Sequence, residues 1–223
     1  MKRALIAVSL VLLGMGNASA QSMEWRLAGF VDGNPDRTIR VTVERNGATT
    51  RVRSFDGSRA VSESVLDENG NPFSYRTFAG EGAISFEATV GGGRRIAARS
   101  GGREWSLKSQ NAIVLSDPSN FWVFSLWLSR EPGFNEKSFS LFQDRENRLV
   151  GMRLRNSGIE TITIGEQICR AYRLDMSLSD PLARMFWPHV YRYWCSAEDF
   201  RFLAYEGRMA DGRISRTENN PAN

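Results

Sequence analysis

Short stretches in which apolar and polar residues alternate make up most of the chain. In Thr38–Glu44, for example, Ile39, Val41 and Val43 alternate with polar residues, a pattern that is typical of a half-buried β-strand. The Asn46-Gly47 sequence that follows is a strong signal for a hairpin turn, and similar turn signals separate the other stretches, so the pattern predicts antiparallel strands. The predicted strand regions are Met23–Phe30, Thr38–Glu44, Ala48–Phe55, Ala60–Leu66, Phe73–Phe78, Ala83–Val90, Arg94–Arg99, Glu104–Leu115, Lys137–Gln143, Leu149–Arg155, Glu160–Ile164, Gln167–Leu178, Val190–Ser196 and Arg201–Tyr205.

One segment near the middle of the chain departs from this alternation. All residues but one of Phe121–Leu128 are apolar, so a helix here has almost no polar face and should be covered on most sides. Ser116 or Asp117 can cap the start of this helix, and Pro118 suits its first position. The Glu131-Pro132-Gly133 sequence is expected to end it.

The start of the chain has the pattern of a secretory signal peptide. Lys2 and Arg3 precede the apolar run Leu5–Leu13, and Ala18-Ser19-Ala20 forms a small-residue cleavage site before Gln21. No later stretch approaches the apolar length of a membrane helix. We therefore expect cleavage near Ala20/Gln21, a mature chain without a transmembrane span, and a periplasmic or secreted protein.

A single apolar helix among many strands predicts a mainly β fold. We expect a curved antiparallel sheet, a half-barrel, that wraps around one central apolar helix. The division predicted from the sequence is a signal peptide at 1–20, a single β-rich domain at 21–214 and a disordered polar tail at 215–223.

Net charge gives little support for a nucleic-acid partner. Removing the leader removes Lys2 and Arg3, which lowers the formal net charge from +4 to +2. The arginines are spread along the predicted strands rather than clustered, as on a solvated sheet face. We therefore predict that the protein does not bind nucleic acid.

The cysteine pair predicts a disulfide. Cys169 and Cys195 are the only cysteines, and two cysteines in one exported domain most often form a structural bridge. If Gln167–Leu178 and Val190–Ser196 form a hairpin, a Cys169–Cys195 bridge fixes its register. The side-chain pairs that this register sets opposite each other are Asp175 with His189, Arg173 with Tyr191, and Tyr172 with Arg192.

His189, the only histidine, is a weak catalytic candidate. A general base needs a nucleophile and an orienting group within hydrogen-bond reach, for which Ser196, Asp199 and Asp175 are the candidates. We favour a strand-end histidine that a carboxylate or the backbone satisfies. Zinc would need further His or Cys ligands. We therefore predict no catalytic residue, no metal site and no cofactor.

Two other kinds of candidate site are also better explained as solvated loops. The acidic pairs Glu198-Asp199 and Glu160/Glu166 do not stand out as the two carboxylates of a glycosidase. The glycine-rich turns Gly91–Arg95 and Ser100–Arg103 could hold an anion through backbone N–H groups and guanidinium groups. Neither turn has the order strand, glycine loop, helix that nucleotide-binding motifs require, so we interpret both as hairpin turns.

Aromatic residues are dense on the predicted helix and on one late segment, which leaves two interpretations open. They belong either to a large packed core or to an apolar cleft between sheet and helix that admits an acyl chain or a hydrophobic partner segment. The candidate ligand-binding residues are Phe121, Trp122, Phe124, Trp127, Trp187, Tyr191 and Trp194.

With its signal peptide, strands and single helix, the chain resembles the periplasmic lipoprotein-carrier half-barrels of the LolA/LolB type. It looks most like an uncharacterised exported bacterial family of that shape. The matching residues are Asp117-Pro118-Ser119, Glu160-Thr161-Ile162-Thr163-Ile164-Gly165 before Cys169, and Tyr193-Trp194-Cys195-Ser196 with Asp199, Arg201 and Leu203. The resemblance implies a half-open sheet that covers a helix, with acyl chains held in the gap.

We therefore predict a non-enzymatic periplasmic protein that binds a lipid-like or hydrophobic ligand between sheet and helix. Its expected partners are a lipid or acyl chain, or an envelope protein. The alternative is a structural or partner-binding envelope module with a fully packed core. An envelope hydrolase is the third and least favoured hypothesis, because no acid/base pair stands out.

Overall fold

The computed structural model describes residues 21–91, 94–116, 118–144, 146–209 and 211–219, so the predicted signal peptide lies outside the described residues. The described chain forms many strands, two α-helices and a 3-10 turn at Gly80–Gly82. The strands are β1 Gln21–Val31, β2 Asn34–Asn46, β3 Thr49–Asp56, β4 Arg59–Asp67, β5 Pro72–Phe78, β6 Ile84–Gly91, β7 Arg95–Ser100, β8 Arg103–Lys108, β9 Ile113–Leu115, β10 Glu136–Gln143, β11 Arg148–Ile164, β12 Gln167–Leu178, β13 Tyr191–Ser196, β14 Phe202–Arg208 and β15 Ile214–Asn219. The helices are α1 Ser119–Arg130 and α2 Pro181–Phe186.

All of these strands belong to one sheet of 15 strands, in the order β8-β7-β6-β5-β4-β3-β2-β1-β15-β14-β13-β12-β11-β10-β9. Neighbours are antiparallel except β9 and β10, which are parallel. The sheet is open, because β8 and β9 stand at its two edges and are not paired with each other. The predicted mainly β fold with a curved antiparallel sheet is confirmed.

Glycines set the hairpins of the first half of the sheet. Asn46 pairs with Thr49 across a two-residue turn in which Gly47 has a φ of 58°. Gly57 has a φ of 60° in the equivalent turn between β3 and β4. Positive φ at the first central residue gives a turn whose twist matches that of the strands, and glycine adopts it without a steric cost.

The sheet curls so far that one end lies over the other. Val114 of β9 and Leu141 of β10 belong to the main core around α1. Their neighbours Ile113 and Phe142 point the other way and pack in a second core with residues of β5, β6 and β7, among them Phe86. The Phe86 and Phe142 ring centroids are 5.9 Å apart. Strands β9 and β10 are thus buried on both faces, which explains their nearly unbroken apolar runs.

Helix α1 runs through the space that the curled sheet encloses. No residue of the range 119–128 is exposed, so the predicted cover of the helix is confirmed. Pro118 takes the N-cap position rather than the predicted first helical position, and among the described residues no side chain caps the helix; Asp117 lies outside them. The helix ends at Arg130, before Glu131-Pro132-Gly133, as predicted.

The predicted disordered tail is wrong for residues 215–219. These residues belong to β15, which lies between β1 and β14 and pairs with both, for example Leu27 with Asn219. Ser215 and Thr217, which made the segment look like a solvated tail, are half-buried in this strand. Pairing on both sides satisfies the backbone N–H and C=O groups, so a polar sequence can form an interior strand.

The predicted disulfide and the register built on it are also wrong. Both cysteines are free thiols. Cys195 pairs with Tyr172, which is three residues away from the predicted partner, Cys169. An odd shift moves a side chain to the other face of a sheet, and Cys195 accordingly lies in the main core whereas Cys169 packs against a small cluster on the opposite face.

The side-chain pairs that followed from the predicted register change with it. The connection between β12 and β13 contains α2, a feature that the sequence-based register did not include and that moves the point where pairing begins. The observed pairs are Asp175 with Arg192, Arg173 with Trp194, and Tyr172 with Cys195.

Candidate functional site

The aromatic residues of α1 lie in a packed core. The Phe124 side chain has no exposed surface, and its ring meets Tyr193 edge-on at a centroid distance of 4.9 Å. Phe139 lies 5.6 Å away and Trp127 5.7 Å away. Edge-to-face contacts at these distances are favourable beyond the burial itself, so this part of the predicted cleft is filled by protein side chains.

Phe121 and Trp122 lie nearer the edge of this core and are half-buried. Phe121 stacks on Phe202 with ring centroids 4.0 Å apart and planes almost parallel. Trp122 contacts Trp25 at 6.5 Å, and its indole N–H is buried without a partner among the described residues. The sequence-predicted residues of α1 are therefore brought together, but mainly with one another and with the sheet.

Three tyrosines extend this aromatic surface toward the end of the sheet where β13 begins. Tyr191 is half-buried and stacks with Tyr205 at 6.4 Å. Burial raises the pKa values of Tyr193 and Tyr205 well above the usual range, so both phenols are neutral. Gly207 allows this stack, because a Cβ atom there would collide with the Tyr205 hydroxyl and the Tyr191 ring. The surface is uncharged and becomes more exposed toward Tyr191.

Trp194 does not share this surface. It is buried on the opposite face of the sheet with Ala171 and Leu203, because side chains alternate along β13. Its indole Nε1 donates a hydrogen bond of 2.7 Å to Glu160 Oε1, and the Arg216 guanidinium lies 5.8 Å from its ring. These contacts hold Trp194 away from the ligand site predicted beside α1.

The most exposed apolar side chains lie on the connection that contains α2. Leu182, Met185 and Phe186 have 68%, 75% and 86% of their surface exposed. Exposed apolar side chains from the neighbouring β14–β15 connection lie at the same end of the sheet, because β13 and β14 are antiparallel neighbours. We call this surface the apolar rim; its residues are Leu182, Met185, Phe186, Trp187, Val190, Met209 and Ile214.

Local interactions position the apolar rim without burying it. Asp180 is the N-cap of α2 and accepts hydrogen bonds from the backbone N–H groups of Leu182 and Ala183 at 2.8 and 3.3 Å. Pro181 follows at the first helical position, where its missing N–H has no effect. Asp-Pro before apolar residues at helical spacing is a helix-start signal; it identifies α2, a helix that is not among the elements predicted from the sequence.

Of the rim residues, only Trp187 is among the ligand contacts predicted from the sequence. Trp187 lies next to His189, with ring centroids 4.7 Å apart. The Arg184 Nε group on α2 is buried without a partner among the described residues. Arg208, at the end of β14, is exposed and has no ion pair within the described ranges.

The acid/base groups considered for catalysis are engaged in structural hydrogen bonds. Asp175 accepts hydrogen bonds from Ser157 and Arg173, and it pairs with Arg192 rather than with His189. The Ser196 hydroxyl accepts the backbone N–H groups of residues 198 and 199. Within the described ranges, no group of three or more His, Cys, Asp or Glu side chains is arranged to hold a metal ion.

Two open clefts lie elsewhere on the sheet. One, of about 370 Å³, is formed by β6, β7 and the glycine turn before Arg103, and Phe86 and Glu87 line it. The other, of about 290 Å³, lies between Ser22 and Val65. None of the predicted ligand-binding residues lines either cleft. The second predicted glycine turn, Gly91–Arg95, includes residues that the structure does not describe.

Comparison with known proteins gives no family. No family model matches the chain, and no curated protein matches it. Among solved structures, it is similar to a β-barrel-like protein of the domain of unknown function DUF1849 from Brucella abortus, with 12% identity, a TM-score of 0.48, and coverage of 87% of this chain and 94% of that one. It is also similar to the hypothetical lipoprotein YmcC from Escherichia coli, with 8% identity, a TM-score of 0.34, and coverage of 91% and 85%. At these values neither likeness indicates a function for this chain.

The two helices of the described chain are both too short to cross a bilayer. The predicted signal peptide and cleavage near Ala20/Gln21 lie outside the described residues and stay predictions. The resemblance to lipoprotein carriers likewise stays a prediction.

Proposed function

We propose that the protein is a non-enzymatic binding protein of the cell envelope that takes up the acyl chain of a lipid at the apolar rim. One observation carries this proposal: five large apolar side chains of a single connection, Leu182, Met185, Phe186, Trp187 and Val190, face solvent together. Contiguous exposed apolar surface is unusual on a protein with a large core and is typical of binding sites.

The surroundings of the apolar rim favour an acyl chain as the occupant. The half-buried residues Tyr191, Tyr205 and Leu178 continue the apolar surface from the rim toward the main core. A flexible chain can lie along such a path, and each methylene group that leaves water contributes about 0.8 kcal/mol. The proposed site therefore lies at the α2 connection and not on the flank of α1, where the sequence predicts it.

Two arginines near the apolar rim suit the acidic head group of a lipid. Arg184 lies on α2 with its Nε–H unpartnered among the described residues. Arg208 lies at the end of β14, without an ion pair in the described part of the chain. Guanidinium groups bind carboxylates and phosphates with paired hydrogen bonds, and a fatty acid or an anionic phospholipid presents one of these groups.

The direct test is binding of the fluorescent fatty acid cis-parinaric acid. We expect saturable binding to the purified protein and about tenfold or weaker binding to the double variant Met185→Ser/Phe186→Ser, because two large apolar contacts are lost. Ile168→Ser is the matched control, since Ile168 is 78% exposed but lies toward the other end of β12. If wild-type protein shows no saturable binding, or if the double variant binds as well as Ile168→Ser, the acyl-chain proposal is wrong.

The packed surroundings of α1 favour a second candidate function, an envelope module that binds a protein partner. The contacts of Phe124 and Phe121 leave that core filled, so a hydrophobic partner would also have to bind at the surface. Organic extraction of protein purified from the periplasm separates the two candidates. Co-purified fatty acid or phospholipid near one molecule per chain supports the first, and its absence together with no cis-parinaric acid binding supports the second.

A further inference from the structure

Among the described residues, no strand pairs with the outer side of the edge strand β8. It pairs with β7 on one side only, and the backbone hydrogen bonds of the described chain include none from Arg103–Lys108 to any other segment. β8 contains no proline, and its register with β7 runs without a bulge. An open, regular edge of this kind is a template for another strand.

The hairpin with β7 determines which peptide groups of β8 face this open edge. Ser100 and Arg103 flank the two-residue turn Gly101-Gly102. The pair that closes such a turn is hydrogen-bonded, and bonded and non-bonded pairs then alternate along the ladder. Every second residue from Arg103 therefore bonds to β7. The residues whose N–H and C=O groups face outward are Glu104, Ser106 and Lys108.

A row of alternating charges crosses the outer face of the sheet and ends at β8. Its members are direct cross-strand neighbours from β3 to β8, namely Arg53, Glu63, Arg76, Glu87, Arg99 and Glu104. Arg53 lies 2.6 Å from Glu63, and Arg76 lies 2.7 Å from Glu87. Arg99 also pairs with Glu87, at 2.5 Å. Opposite charges in directly opposed positions stabilise a sheet.

The row is incomplete at its β8 end. Glu104 is exposed and has no ion pair among the described residues, because its neighbour Arg99 is engaged by Glu87. Lys108, on the same strand and face, stands opposite Arg95, and neither cation has an ion pair in the described ranges. Like charges in opposed positions are unfavourable. The outer face of β8 thus presents an unmatched carboxylate and an unmatched ammonium group.

We propose that two copies of this chain associate through β8, as antiparallel strands related by a two-fold axis at Ser106. This register sets Glu104 of each copy opposite Lys108 of the other copy. The alternating row then continues across the interface, and each Lys108 gains the carboxylate that its own chain does not provide. On the inner face, Trp105 of each copy stands opposite Leu107 of the other, and both residues are half-buried.

Backbone hydrogen bonding limits the possible registers, and charge selects one of them. The outward-facing peptide groups of the two strands lie opposite each other only when the two-fold axis passes at a residue of β8. Moving the axis by one residue shifts the register by two and keeps this condition. A shift of the axis to Trp105 sets Glu104 opposite Ser106 and moves Lys108 against the glycine turn. A shift to Leu107 sets Ser106 opposite Lys108 and leaves Glu104 unpaired. The axis at Ser106 is the one that matches both charged residues.

The association is tested by sedimentation velocity of the purified protein over a range of concentrations. We expect a reversible monomer–dimer equilibrium. Glu104→Lys and Lys108→Glu should each raise the dimer dissociation constant about tenfold or more, because each change sets two pairs of like charges across the interface. The double variant Glu104→Lys/Lys108→Glu should return the constant to within about threefold of wild type, because the pairs are restored in reverse.

Glu166→Lys is the control, since Glu166 is exposed in the β11–β12 turn without an ion pair among the described residues. It changes the net charge as Glu104→Lys does and should leave the dimer unaffected. Far-UV circular dichroism checks that each variant is folded. A wild-type protein that stays monomeric at every concentration overturns the proposal. So does a double variant that dimerises no better than the single ones, or a control that weakens the dimer as much as Glu104→Lys.

Discussion

The two helices of this protein place similar residues in opposite environments. In α1, Phe124 and Leu128 are completely buried, whereas the six-residue helix α2 has no buried residue, and Phe186 is 86% exposed. The difference does not come from composition, because both helices are rich in large apolar side chains. It comes from position: α1 passes through the enclosed space, while α2 lies in the connection between the interior strands β12 and β13, at one end of the strands.

This contrast separates apolar residues that stabilise the fold from apolar residues that are available for binding. The α1 side chains already have partners, such as Tyr193 and Phe139. The α2 side chains have few contacts within the fold. A cluster of exposed apolar side chains is typical of a binding surface. Substitutions in the two helices should therefore affect different properties of the protein.

The largest effect on stability is expected at the centre of α1. Phe124→Ala removes a fully buried ring and leaves a cavity, which should lower the free energy of unfolding by about 3–5 kcal/mol. Urea unfolding followed by circular dichroism measures this change. A loss below about 1 kcal/mol would show that the helix is not part of the packed core.

The packed core around α1 also predicts an unreactive thiol. Cys195 is buried beneath α1, with its Sγ 3.7 Å from the Ser125 hydroxyl, and burial raises the pKa of Cys195 from 9.0 to about 12. Near pH 8, which lies below both values, the thiolate fraction should be about a thousandfold lower than in the unfolded chain. Iodoacetamide labelling of the Cys169→Ser variant, folded and in urea, measures the ratio.

The same chemistry tests the observed register. Wild-type protein unfolded without reductant should take up two labels, one on each cysteine, as counted by mass spectrometry. If neither cysteine is labelled until a reductant is added, the two thiols are bridged. The β12–β13 register in which they lie on opposite faces would then be incorrect.

The smallest effect on stability is expected at α2. Phe186→Ala should change the free energy of unfolding by no more than about 0.5 kcal/mol, because an exposed side chain loses few contacts. The same urea titration measures it beside Phe124→Ala. A loss of more than about 2 kcal/mol would mean that the apolar rim is packed in solution and is not available to a ligand.

Local chemistry made much of the fold predictable. Alternation and the glycine turns predicted the hairpins from β2 to β7 within a few residues, and the unbroken apolar run predicted a covered α1. The failures concern long-range pairing. The β12–β13 register depended on an assumed contact between Cys169 and Cys195, and nothing near either residue indicates which face it occupies. Likewise, β9 and β10 are buried on both faces only because β5, β6 and β7, which are distant in sequence, pack over their second face.

The sequence predicts the kind of residue that forms the candidate site, but it does not predict where in the fold the site lies. Aromatic density drew attention to α1, but density alone does not distinguish a filled core from an open surface. The sequence-based candidates include Trp187 but not Leu182, Met185 and Phe186, because no helix is predicted there. The Asp180-Pro181 start signal is present, and the spacing of Leu182, Met185 and Phe186 after it predicts a shared apolar helix face, but only the structure shows that this face is exposed.

The position of β15 has a consequence for how the protein acquires its shape. This strand joins the half of the sheet that ends in β1 to the half that ends in β14, yet it follows every other described strand in the sequence. Until Ile214–Asn219 has been synthesised, the chain can form at most two separate half-sheets with bare inner edges. Pairing between such distant segments is slow, and bare edges invite aggregation. We therefore expect folding to be completed only after β15 has been synthesised. Until then the newly made chain should need protection from aggregation.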